Sequence, residues 1–335
     1  MFGKGAGDIA VFGGRHRAGT GVQEAGHELD TRRALQLALA GLWVLDAVLQ
    51  YQPFMYSRAF AGMLAGTADG NPPVIARPIT WDAALVGHHL VLLNSVFATI
   101  QLLLGLGIAF RPTVRAALAA SVAWSLGVWW FGEGLGGVLN GTASPLNGAP
   151  GAVILYALLA ILLWPADRPA DRESPAPFTA ARAVGAPIAR ALWLVLWSSL
   201  ASFALTPANR APQALSGMVA DMETGEPGWL AALDRSAASL LAGQGLAASI
   251  VLAAALAVIA AGVYLPLAGA KAVLLTAIVV ALVIWVFGEA LGMIMAGGAT
   301  DPNSGPLLVL LALAYWPARG GAAPADVEGP EGKAA

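Results

Sequence analysis

The chain has 335 residues, 58% of them hydrophobic and only 11% charged, whereas soluble domains carry about a quarter charged residues; the composition points to an integral membrane protein. A net charge of -2, with basic residues scattered over loops, leaves no electrostatic footprint for nucleic acid. Zero cysteines exclude disulfides, cysteine metal sites and thiol nucleophiles, and leave the redox compartment unmarked.

Residues 1–33 are Gly-rich and charged and lack an apolar core followed by a small-residue cleavage site, so they read as a disordered cytoplasmic tail, not a signal peptide. A transmembrane helix needs about 20 mainly apolar residues. Such runs fall at 34–52, 81–110, 113–139 and 150–165, which define a first module over 34–165. A Pro- and charge-rich cytoplasmic linker follows at 166–187. The second module, 188–318, repeats the runs at 188–206, 236–267, 271–296 and 305–318, and a low-hydrophobicity C-tail closes the chain at 319–335. The long first outer loops, 53–80 and 207–235, are too apolar to be merely solvated. Phe54, Met55, Tyr56, Phe60, Met63 and Leu64 suggest a short helix lying on the outer surface, with Leu215, Met218 and Val219 as counterparts.

The two modules repeat one another. Trp129, Phe131, Gly132, Glu133, Leu135 and Gly136 recur as Trp285, Phe287, Gly288, Glu289, Leu291 and Gly292 at a constant offset of 156, which also carries Asn147 to Asn303 and Pro150 to Pro306. The expected fold is all-α, with eight transmembrane helices as two tandem four-helix modules. An even number of spans per copy gives both halves the same orientation, related by a pseudo-two-fold axis along the membrane normal. Every Lys and Arg except Arg58, Arg77, Arg210 and Arg235 then lies on inner segments, which places both termini in the cytoplasm. Arg outnumbers Lys, and Ala and Gly abound, as in a GC-rich bacterial genome. The expected location is the bacterial cytoplasmic membrane.

Ionisable residues inside spans are costly and mark candidate sites. Counting from the outer helix ends at about 1.5 Å per residue places Asp46, His88 and Glu133 in one layer roughly 10 Å deep. A carboxylate beside an imidazole suits a proton relay, a headgroup or a cation such as zinc or copper. Each also has a structural reading. Glu133, between Gly132 and Gly134, can hydrogen-bond a neighbouring helix at a close-packed seam; Asp46 can pair with Arg58 or Arg77 of the overlying loop. His88 and His89 point about 100° apart, so at most one faces the carboxylates. Asn94 and Gln101 read as interhelical hydrogen-bond glue. In the second copy only Glu289 keeps the polar layer, since Gln244 replaces His88 and Leu200 replaces Asp46. One principal site, biased to the first module, follows. Trp124, Trp129, Trp130 and Trp285 either line a pocket for a flat ligand such as a quinone or simply pack. Thr300-Asp301-Pro302-Asn303 has the form of an Asx-type turn, with Asp301 or Asn303 capping the next helix.

Each half resembles the four-helix module of the DoxX-like group: an Arg before the first span (Arg33, Arg190), an aromatic-rich first helix, a Pro-led outer segment, and a long second helix ending in Leu102-Leu103-Leu104-Gly105-Leu106-Gly107. A more specific likeness is to a set of duplicated actinobacterial-type membrane proteins. It rests on Leu45-Asp46, Gln52-Pro53-Phe54-Met55, Gly132-Glu133-Gly134-Leu135-Gly136-Gly137 and Thr300-Asp301-Pro302-Asn303-Ser304-Gly305-Pro306. Some DoxX-like proteins are associated with quinone-linked sulfur oxidation or membrane redox complexes, which the resemblance would imply as partners; this chain lacks cysteine and any obvious redox motif. The leading expectation is a non-enzymatic module that binds a ligand, lipid or cation in the outer leaflet, or an accessory subunit of a membrane complex. A proton-coupled secondary transporter and a quinone-linked oxidoreductase subunit are the alternatives. The residues name no cofactor and no metal.

Overall fold

The computed structural model describes residues 18–165 and 176–318, with side chains from residue 31 onward. The expected C-tail, the first part of the linker and residues 1–17 of the N-tail lie outside the described residues. Among those described the chain is helical and has no strands. The first half holds α1 (Ala18–Leu49), α2 (Arg58–Gly66), α3 (Pro73–His88), α4 (Leu90–Ala109), α5 (Val114–Phe131) and α6 (Ala152–Leu162). The second half holds α7 (Thr179–Val184), α8 (Ala186–Ala204), α9 (Pro207–Arg210), α10 (Ala214–Asp221), α11 (Gly228–Leu241), α12 (Gly245–Gly262), α13 (Leu267–Val283) and α14 (Ser304–Ala314).

Five described helical stretches are long and apolar enough to cross a membrane: Leu90–Ala109, Arg111–Phe131, Ala186–Ala204, Gly245–Gly262 and Leu267–Gly288. Val91, Leu92, Leu103, Val251, Val258 and Val279 on them are all more than half exposed, the belt that lipid would cover. The helices mark a multi-pass membrane protein. The other three expected spans take different forms. The first, α1, is long but carries Arg32, Arg33 and Asp46, and it is helical from Ala18, where the composition suggests a tail through residue 33. The fourth and eighth, α6 and α14, have 11 residues each, about 16 Å of helix against a hydrocarbon core of about 30 Å.

The second span of each copy is also shorter than expected. The run 81–110 breaks at His89, whose φ of -129° and ψ of 37° separate α3 from α4. The run 236–267 breaks at Ala242–Gln244, where Gly243 takes a φ of 74°. Apolar composition continues across both breaks, so a hydropathy window cannot see them. The break lets α3 fold against α2, burying Met55, Phe60 and Leu64 on Ala83 and Val86. Burial of each such large side chain contributes about 1.5–3 kcal/mol. The expected surface helix is therefore packed onto protein, and its counterpart α10 likewise buries Leu215 and Val219.

The core is built around α6 and α14, which touch each other and are packed by α5 and α13 respectively. Leu155, Tyr156, Leu159, Leu307, Leu308 and Leu311 are at most 2% exposed. Burial on almost every side explains why neither helix shows an amphipathic stripe. At the opposite end from the duplicated turns, Tyr315 stacks on Phe178 with ring centroids 5.0 Å apart and meets Trp193 at 4.8 Å. Phe178 precedes α7, so the second part of the expected linker is a packed segment with Ala180 and Ala181 buried. The Arg33 guanidinium donates to the carbonyls of Ile108 and Ala109, placing a cation at the negative end of α4.

The duplicated turns have matching backbones. Leu135 and Gly136 have φ of 58° and 63°, and Leu291 and Gly292 have φ of 54° and 71°. A left-handed leucine costs about 1–2 kcal/mol, so the surrounding contacts must hold it. One such contact recurs: Trp129 Nε1 donates to the Pro150 carbonyl at 2.6 Å, and Trp285 Nε1 to the Pro302 carbonyl at 2.8 Å. This corrects the register of the repeat. The constant offset pairs Pro150 with Pro306, whereas the fold pairs it with Pro302. The first turn carries four more residues, accounted for by a 3-10 turn at Pro145–Asn147 closed by a Ser144 capping box.

Candidate functional site

The two glutamates act across these turns. Glu133 Oε1 accepts from the Val153 amide at 3.2 Å, in the first turn of α6. Glu289 accepts from the Gly305 amide at 3.0 Å and from the Ser304 hydroxyl, both in the first turn of α14. A carboxylate following one helix thus caps the amide-rich, positive end of the next. The copies then differ. Glu289 is 1% exposed and both its oxygens are engaged, while Glu133 leaves Oε2 buried with no hydrogen-bond partner.

Glu133 also lines a cavity of about 680 Å³ between α1, the α2–α3 pair, α5 and the two duplicated turns. Trp43, Asp46 and Gln50 line it from α1 and its end, at the three- and four-residue spacing that puts side chains on one helix face. Phe97 and Gln101 of α4 and Trp124 and Val128 of α5 repeat the spacing. Asp46 is 1% exposed, and its Oδ1 has no partner. Tyr156 stands next to Asp46, so that its hydroxyl is a donor available to that carboxyl group, and its ring lies 4.2 Å from that of Trp43. Asp82 contributes a third carboxylate from α3 and Asp301 a fourth from the second turn. Asp301 lies close enough to act electrostatically on both Asp46 and Glu133. Among the described residues no three His, Cys, Asp or Glu side chains are grouped to hold a metal ion.

Asp46, Glu133 and Asp301 therefore come together, and several other expected residues do not. His88 and His89 are both exposed at the α3–α4 break and neither lines the cavity. The depth count that placed His88 in one layer with Asp46 assumed an unbroken helix. Arg58 and Arg77 are exposed as well, and no ion pair links them to Asp46. Glu289 lies outside the cavity lining, bound to α14. Gln244 is exposed and bonds the Leu240 carbonyl within its own chain segment. Trp130 is 40% exposed and stacks on Phe131, and Trp129 and Trp285 are held by the proline carbonyls. Of the tryptophans considered for a flat ligand, only Trp124 lines the cavity, 5.7 Å from Phe97. The Asx-type turn is as expected: Asp301 Oδ1 accepts from the Asn303 amide at 2.7 Å, and Asn303 caps α14 through Ser304 at 2.8 Å.

No family model, curated protein or solved structure matches the chain. The site thus rests on its own geometry.

Gln50, Asp82 and Phe97 are lining residues that the sequence pattern did not single out, and Gln101 was read there only as packing glue. The i, i+4 pairs Asp46–Gln50 and Phe97–Gln101 were the available signal. Asn94 does serve as interhelical glue, donating to the Gln50 carbonyl at 2.6 Å. A second acidic pair lies outside the membrane segments. Asp234 is fully buried, and all four carboxylate oxygens of Asp234 and Glu226 lack a donor. Burial first, then hydrogen bonding with Asp234 and the charges of Asp234 and Glu223, pushes Glu226 up to about 7.

Proposed function

We propose that this chain is a non-enzymatic ligand-binding module of the bacterial cytoplasmic membrane. In this reading it consists of two tandem DoxX-like four-helix modules in parallel orientation, with both termini cytoplasmic. The ligand enters the cavity of the first half from the outer side. One observation carries the reading: a cavity of about 680 Å³, within the usual ligand range of about 300–1,000 Å³, is lined by buried acceptors left unsatisfied at Asp46, Gln50, Gln101 and Glu133. A buried polar group without a partner costs about 1–3 kcal/mol, and a ligand that supplies donors recovers it. The second half contributes through Thr300, Asp301 and Asn303, which gives the divergent copy a role as one wall of a single site.

Gly127 supplies a clean test, because it lines the cavity and nothing stands within 4 Å of where its Cβ would project. Gly127→Leu adds an isobutyl group to the cavity wall from a Cβ position with open space around it. Native mass spectrometry of the detergent-extracted protein should find a retained small molecule on the native chain, reduced at least about tenfold in occupancy on Gly127→Leu, with the melting temperature unchanged. A chain that carries nothing, and that no added compound stabilises, refutes the reading.

A transporter is the second reading, favoured by one feature. The 11-residue helices α6 and α14 begin inside the structure at turns held by Glu133 and Glu289, like the discontinuous helices at transport sites. Flux of the retained compound into proteoliposomes separates it from a binding module.

A further inference from the structure

The class of ligand follows from the cavity wall, and this step rests on the ligand-site reading above. We propose that the cavity takes a small organic cation, an ammonium group carried on a compact apolar body. Asp46, Asp82, Glu133 and Asp301 line the cavity, and no Lys, Arg or His is among the lining residues. Asp46 Oδ1 and Glu133 Oε2 are acceptors without donors, and the oxygens of Gln50 and Gln101 add two more. Gln50 and Gln101 are themselves 5% and 8% exposed, so these acceptors have no water shell of their own. Against them stand two buried donors without a partner, the Trp124 indole in the wall and the Tyr156 hydroxyl beside Asp46. A site so rich in acceptors calls for a ligand rich in N–H donors. Buried charge is tolerated when it is paired, and a cation between Asp46 and Glu133 supplies the pairing.

The rest of the wall says what the cation is attached to. Trp43, Phe60, Phe97, Trp124 and Phe131 contribute aromatic surface, which attracts a cation over its ring faces and an apolar body by burial. A bare metal ion fits poorly: the volume far exceeds one ion, and no three ligating side chains converge among the described residues. Phosphate-bearing lipids fit poorly as well. Their anionic group would face four carboxylates with no basic side chain to receive it. Two carboxylates on different helices of the wall, Asp46 on α1 and Asp82 on α3, also offer a partner to a second ammonium, as in a short diamine.

Three probes of one shape test the class: 2-phenylethylammonium, the neutral 2-phenylethanol and the anionic 3-phenylpropionate, each titrated into the purified full chain in detergent. Tryptophan fluorescence and calorimetry report binding through Trp43 and Trp124. The ammonium should bind saturably. The other two should bind at least about tenfold more weakly, since neither supplies a cation to pair with the buried carboxylates. Asp46→Asn should weaken the ammonium by a similar factor, and Gly127→Leu should abolish it without lowering the melting temperature. If the alcohol or the carboxylate binds as well as the ammonium and Gly127→Leu blocks it, the cavity is a ligand site and the cation class is wrong. If Asp46→Asn leaves ammonium affinity unchanged, the class is likewise overturned. If no probe binds and no compound is retained, the ligand-site reading itself fails.

Discussion

Glu226 and Asp234 are a pair of carboxyl groups with four buried oxygens and no donor between them. Two such groups in contact cannot both be ionised cheaply, so folding favours the form in which they hold a proton. The sign follows from linkage. Glu226 is raised from an ordinary 4.5 to about 7 in the fold, so the folded chain binds more protons than the unfolded one between those values. Stability therefore falls as pH rises through that window and stays reduced above it. Glu226→Gln keeps the shape and removes the charge. The variant's melting temperature, measured relative to the native chain, should rise between pH 5 and pH 8; a difference that stays constant with pH would show that the pair does not share a proton. The neighbouring Glu223 acts in the same direction, because its charge also raises Glu226.

The recurring element is a helix, a left-handed Leu-Gly turn and a short buried helix whose first amides are capped by a glutamate. Gly136 shows why this turn tolerates little change. Its φ is 63°, and a Cβ there would run into the carbonyl of Pro150, the same carbonyl that receives the Trp129 indole. Gly141, in the same loop, has φ of 78° but open space around it. Gly136→Ala should therefore lower the melting temperature several-fold more than Gly141→Ala, which carries only the left-handed penalty of about 1 kcal/mol. Equal losses would mean that strain alone matters and that the close approach to Pro150 is unimportant. Leu135 and Leu291 bear the same strain in both copies, so the turn geometry was retained through a change of loop length.

At the scale of the molecule, the two halves interlock through their turns. Asn209 donates to the Ala143 carbonyl at 3.0 Å, and the Gln52 amide reaches the Ala299 carbonyl at 3.4 Å. The second copy's turn forms part of the cavity wall, through Met293, Ala299, Thr300, Asp301 and Asn303. The absence of cysteine makes the proposed topology directly measurable, since a single introduced thiol is the sole label. Asp69→Cys and Asp221→Cys, both at exposed positions of the loops proposed to lie outside, should react with an impermeant maleimide in intact cells. Arg115→Cys and Lys271→Cys, also exposed, should react only after permeabilisation. Reaction of Asp69→Cys and Asp221→Cys from opposite sides would overturn the parallel arrangement of the halves.

Composition and periodicity alone determined the membrane class, the duplicated Trp-Phe-Gly-Glu-Leu-Gly segment, the Asx-type turn at Asp301 and the candidacy of Asp46 and Glu133. These are legible because low charge, repeated identity and a carboxylate in an apolar run need no knowledge of the chain's path. Tertiary structure decided the rest. Depth counted along one helix placed His88 beside Asp46, but the break at His89 turned both histidines outward. Residue identity paired Pro150 with Pro306, but indole hydrogen bonds pair it with Pro302. The glutamates fall inside single expected spans, 113–139 and 271–296, whereas in the fold they follow a helix and cap the first amides of the next, α6 and α14. A helical repeat reports which residues share a face; what that face meets depends on where neighbouring segments bend, and a hydropathy pattern carries no record of a bend.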